Sequence, residues 1–122
     1  MIGYWISSGI LALAFVVHAL VGSREITRPL MNSDIPTGPK YTVFLCWHLV
    51  TIVLLVMALA FGWAAMDSAA WEVGLLATVL SGGFALWGLA LQMWGEARFA
   101  DLPQWTLFVG ATACGVWSLG GM

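Results

Sequence analysis

Apolar residues run along this chain in four long stretches, 2–22, 41–66, 70–95 and 104–121, parted by shorter polar segments. A helix needs roughly 20 residues to cross a hydrocarbon core of about 30 Å. Lipid offers the backbone no hydrogen-bond partners, so membrane spans are helices or closed barrels. Barrel strands run about 10 residues with alternating polarity, and these stretches are too long and too evenly apolar for that. The pattern predicts an all-α fold: one integral membrane domain over residues 1–122, with four transmembrane helices in an antiparallel bundle.

Each stretch also predicts a packing face. In the first, Tyr4, Leu11, His18 and Glu25 recur every seven residues, with Ser8, Phe15 and Gly22 between them. At 100° per residue this puts His18, Gly22 and Glu25 on one side. In the second, Tyr41, Phe44, His48, Leu55 and Leu59 share a side, with Thr51 at its edge. The third repeats Gly74, Ser81, Gly88 and Gly95, with Ala77, Ala85 and Gln92 on the same face, and the fourth carries Gly110, Ala111, Cys114, Gly115 and Ser118. Small residues let membrane helices approach closely. These last two faces are therefore expected to pack on other helices, on a second copy of the chain or on a membrane-protein partner.

The segment 23–40 contains Pro29, Pro36, Pro39 and Gly38 and is expected to be a loop. The first helix is expected to run past the membrane through Arg24 and Arg28 and to stop at Pro29.

Composition agrees with this picture. The chain is 61% hydrophobic and 8% charged, whereas a soluble domain carries about 25% charged residues. Arg24, Arg28 and Lys40 lie in the first loop and Arg98 in the third, while the second has only Asp67 and Glu72 at its edges. The positive-inside rule then places loops 23–40 and 96–103 in the cytoplasm and both termini outside, in a bacterial inner membrane. No basic region precedes the first apolar stretch and no cleavage site follows it, so that helix is expected to be retained as a signal-anchor. No basic stripe suggests nucleic acid. Trp5, Trp63, Trp71 and Trp117 near one boundary, and Trp94 and Trp105 near the other, read as interfacial anchors. Cys46 and Cys114 form no metal-type spacing and read as packing residues.

Candidate chemistry gathers at one end. Ionisable groups inside a span are costly and are functional candidates by default. The two histidines, His18 and His48, fall in different apolar stretches. At 1.5 Å per residue they lie about 6 Å and about 10 Å inside Gly22 and Tyr41, and so share a layer. Gln92, Glu25, Glu96 and Thr51 fall near them, and Arg24, Arg28 and Arg98 rim the same boundary. His18 and His48 are thus candidate axial ligands for haem b, with Arg24 or Arg28 on its propionates. A quinone held by His and Gln92 is the variant of that reading.

The string His18-Ala-Leu-Val-Gly22-Ser-Arg24 resembles the His-x3-Gly-x-Arg stretch of the haem-binding succinate dehydrogenase membrane anchors. The resemblance covers seven residues and implies a haem ligand at His18. That family has a second histidine after the arginine, where this chain has Glu25, and its anchors have three spans. A metal site of His18, His48 and Glu25 or Glu96 has less behind it, because His18 and Glu25 are about 10 Å apart along the helix.

The alternative for the histidines is interhelical hydrogen bonding, with His18 to Thr51 or a carbonyl and His48 to Gln92. The choice turns on rotation, since about a third of a turn of one helix would separate the pair. No Ser–His–acid pattern or phosphate-binding glycine loop points to an enzyme. The leading expectation is a non-catalytic accessory or assembly protein of a larger inner-membrane complex. The redox protein is the second. A small dimeric transporter or channel is the third, similar in size and span count to small multidrug transporters and fluoride channels but without their local motifs.

Overall fold

The structure, a computed structural model, describes residues 1–96 and 98–122; Ala97, in the expected loop 96–103, lies outside them. Every regular element among the described residues is helical. Helix α1 (Ile2–Gly22) continues through a π-helical segment, Ser23–Thr27, into a last α-helical turn, α2 (Arg28–Met31). Helices α3 (Thr37–Met66), α4 (Trp71–Trp94) and α5 (Trp105–Gly120) follow. Short 3₁₀ turns, Ser68–Ala70 and Phe99–Asp101, sit in the two later connections.

The expected loop 23–40 is mostly helix, and only residues 32–36 are non-helical. Two prolines were expected to break helices and do not. A proline in an α-helix clashes with the carbonyl four residues earlier, which for Pro29 is that of Glu25. The π register ahead of it opens this turn: the Arg28 N–H donates to the Ser23 carbonyl, five residues back. Pro39 lies in the first turn of α3, where backbone N–H groups have no helical partner to lose. The turn is clamped by Lys40, whose Nζ donates to the carbonyls of Ser33 at 2.6 Å and Met31 at 3.4 Å.

Among the described residues, three helical stretches are long and apolar enough to cross a membrane: Ile2–Met31, Thr37–Met66 and Ser68–Trp94. The expected fourth span, α5, has 16 residues, about 24 Å of helix, and falls short of that length.

The helices form a square in the order α1, α3, α4, α5, each packed on its two neighbours. Contacts fix the directions. Tyr4 meets Phe61 and His18 meets Trp47, so α1 and α3 are antiparallel. Gly88 sits against Trp105 and Gly115 against Thr78, so α4 and α5 are antiparallel. Ser7 reaches Ala111 and Gly3 reaches Cys114 and Ser118, so α5 also runs against α1. The N-terminus, the α3–α4 turn and the C-terminus share one end, the terminal end. The 32–36 turn and the α4–α5 connection share the other, the loop end.

Side chains fill the core: Tyr4, Leu11, Leu54, Met57 and Phe61 with six alanines. Gly74 lies against the Tyr4 phenol, and Gly3 lies against the Cys114 backbone carbonyl. The small-residue faces of α4 and α5 are therefore used inside the bundle, because close approach to α1 and to each other needs them. The outer wall is apolar, with Leu20, Leu59, Leu76, Val79 and Leu86 62–70% exposed.

Candidate functional site

The sequence-predicted residues lie in the loop-end half of the bundle, but they do not converge. On α1 the buried line is Gly3, Tyr4, Ser7, Leu11, Ala14 and Gly22, with His18 half-buried among them. Glu25 leaves this face and is exposed. A seven-residue repeat slips about 20° per repeat on a straight helix, and the wider π turn follows before α2. The side expected to hold His18 and Glu25 together therefore parts them.

On α3 the buried residues are Leu54, Met57, Ala58, Phe61 and Ala64, and Trp47 and Thr51 are half-buried on the way to the loop end. Tyr41, His48, Leu55 and Leu59 are exposed. The face expected from the sequence is displaced by one residue, about 100°. The helix is apolar on all sides, so hydrophobicity alone could not mark the side that packs.

That rotation decides the histidine pair. The partner of His18 is Trp47: the two rings stack with centroids 3.9 Å apart and 13° between planes. His18 Nε2 also lies 3.1 Å from the Trp47 carbonyl. The carbonyl accepts, so Nε2 carries the proton and donates. Thr51 Oγ1 donates to the same carbonyl at 3.1 Å. Gly22 makes this possible, since a Cβ there would run into the Trp47 indole. His48, the next residue on α3, is exposed and sits edge-on to Phe44, with centroids 4.5 Å apart.

The remaining predicted residues spread around the rim. Arg24, Arg28 and Glu96 are exposed, and Gln92 is half-buried on α4. Arg98 pairs with Asp101 at 3.7 Å, and its own N–H donates to that carboxylate at 2.9 Å. No cluster of three or more metal-type side chains occurs among the described residues. A haem held by His18 and His48 of one chain would need Nε2 of His18 released and the Trp47 indole moved, and His48 turned inward.

The structure also brings together hydroxyl groups that the sequence did not mark as site candidates. Ser7 Oγ donates to the Ala111 carbonyl and Ser8 Oγ to the Ala58 carbonyl, both at 2.8 Å. With His18, these tie α1 to α5 once and to α3 twice. Towards the terminal end Tyr4, Ser7, Thr78, Ser81 and Ser118 form a buried set of hydroxyls. Tyr4 Oη, Ser81 Oγ and Ser118 Oγ have no hydrogen-bond partner among the described residues. The sequence signal for Trp47 was a tryptophan deep in a span with a glycine at matching depth on the preceding helix. For Ser81 and Ser118 it was their place on faces already marked by small residues.

Chemically, the loop-end arrangement binds helices together. Its fixed groups hydrogen-bond backbone carbonyls, and its free groups face outward. Compared with models of known protein families, with curated proteins and with solved structures, the chain matches none.

Proposed function

We propose that this chain is an integral protein of a bacterial inner membrane that serves as a non-catalytic accessory or assembly subunit of a larger membrane complex. In this reading the four-helix bundle sits with both termini outside and the loop end in the cytoplasm. The apolar wall, three helices of spanning length and the basic residues of the loop end support that placement. The short α5 is carried by its neighbours, since α1 and α4 cover its small-residue face.

One observation carries the accessory role. The interior is closed by packing, and the side chain best suited to chemistry that remains free, His48, lies on the outer wall of α3 beside Phe44. An ionisable ring facing lipid is costly, and a partner helix offering a carbonyl or hydroxyl would satisfy it. The test is a tagged pull-down from membranes in mild detergent, with wild type and His48→Leu. A stoichiometric membrane partner with wild type, depleted with the variant, is the expected result. Recovery of the wild-type chain alone would overturn the reading.

A further inference from the structure

Glycines and hydroxyls alternate around the inside of the terminal end. Ser118 Oγ of α5 lies against Gly3 of α1, Tyr4 Oη of α1 against Gly74 of α4, and Thr78 Oγ1 of α4 against Gly115 of α5. Each of these helices gives one glycine and one hydroxyl, and the missing side chain lets the neighbour's oxygen into the interior. Ser7 and Ser81 form the next layer. Ser7 bonds the Ala111 carbonyl, and Gly82, beside Ser81, lies against Thr112, so the two serines sit at one depth of α5. Ser81 is seven residues past Gly74, about 10 Å further in.

These hydroxyls divide in two. Thr78 donates to the Gly74 carbonyl at 2.7 Å and Ser7 to that of Ala111 at 2.8 Å. Tyr4 Oη, Ser81 Oγ and Ser118 Oγ have no partner among the described residues, although Tyr4 and Ser81 are 0% and Ser118 6% exposed. A hydroxyl on a helix can bond the carbonyl four residues back, as Thr27, Thr51, Thr78 and Thr112 do. Ser81 and Ser118 leave that acceptor unused. Buried hydroxyls without a partner are costly, and in native proteins ordered water meets such groups. An ion would lack a counter-charge, since no charged side chain is buried among the described residues. A cavity of about 540 Å³ at the terminal end is walled by three separate segments: Met1, Ser68 with Trp71, and Ser118 with Gly121 and Met122. Ser118 belongs both to that wall and to the buried hydroxyls.

We propose that the interior of the terminal half binds ordered water, held by Tyr4 Oη and Ser118 Oγ in the outer layer and by Ser81 Oγ in the inner one, and reached through the terminal-end cavity. The site is closed below. Ser8 bonds the Ala58 carbonyl, and about one turn further in the buried Leu11 and Leu54 meet across α1 and α3. Water therefore enters from one end and does not cross. The site does not depend on which partner the chain has.

Two measurements on the full chain test it. In protein reconstituted into lipid bilayers, solid-state NMR magnetisation transferred from water protons should reach the Tyr4 ring and the Ser81 Cβ before the Leu11 methyls, which are as deeply buried. Simultaneous arrival at all three would overturn the proposal. The second measurement is the sign of a stability change in mild detergent. Removing a dry, unpaired hydroxyl relieves its desolvation and raises the melting temperature, whereas removing one that holds water lowers it. Tyr4→Phe, Ser81→Ala and Ser118→Ala should each lower the melting temperature by about 3 °C. Tyr4→Phe and Ser118→Ala together should lower it by less than the sum, because a shared water is lost once. Melting temperatures that rise or stay unchanged in the three variants, or losses that add fully in the pair, would overturn the site.

Discussion

At the scale of single residues, glycines and one tryptophan set how closely the helices meet. Gly3 faces the backbone carbonyl of Cys114, which cannot move aside as a side chain can, whereas a Cβ on Gly9 would meet nothing within 4 Å. Gly3→Ala should therefore lower stability in detergent by about 1–3 kcal/mol, as overpacking does. Gly9→Ala should stay within about 0.5 kcal/mol of wild type. Thermal unfolding of the two variants side by side checks the contrast. The same scale decides the redox question. With His18 Nε2 on the Trp47 carbonyl and its face covered by the indole, the protein purified from haem-replete cells is expected to show no Soret band. Sharp reduced α and β bands, lost in His18→Ala, would contradict the geometry.

At the scale of elements, the sequence marked helices well and faces unevenly. The faces of α4 and α5 were legible because small residues among large ones report close contact directly: Gly74, Ala77, Ser81 and Ala85 are buried as expected, and so are Ala111, Gly115 and Ser118, whereas Gly88, Gln92, Gly110 and Cys114 are half-buried and Gly95, past the end of α4, is exposed. The face of α3 was not legible. Leu, Val and Met surround it, and a histidine drew the reading 100° off the side that Trp47, Leu54 and Phe61 take. Helix ends near proline were also misread, because a π turn before Pro29 and the first-turn position of Pro39 both remove the clash that normally ends a helix. The tight turn that results relies on Lys40. Lys40→Met removes donors from the Ser33 and Met31 carbonyls. It is expected to speed limited proteolysis within residues 32–36, at a cost in stability of about 1 kcal/mol or less. An unchanged cleavage rate would show that the turn holds without the clamp.

At the scale of the whole molecule, the proposed placement, with both termini outside an inner membrane, makes a topological prediction. Ser68 lies at the terminal end and Asp34 at the loop end, and both are exposed. In a chain with Cys46 and Cys114 replaced by alanine, Ser68→Cys should react with a membrane-impermeant maleimide in intact cells whose outer membrane has been permeabilised. Asp34→Cys should react only after the inner membrane is opened. The reverse pattern would invert the orientation without altering the bundle.

The seam between α1 and α5 joins the first helix of the chain to the last. Gly3 and Ser7 therefore have no partner until more than a hundred residues later in synthesis. The three longer helices can enter the bilayer one after another, but the bundle closes only when the shortest and least self-sufficient of them arrives. Until then the open flank of α1 is a place where a membrane chaperone or quality-control protease can tell an unfinished molecule from a finished one.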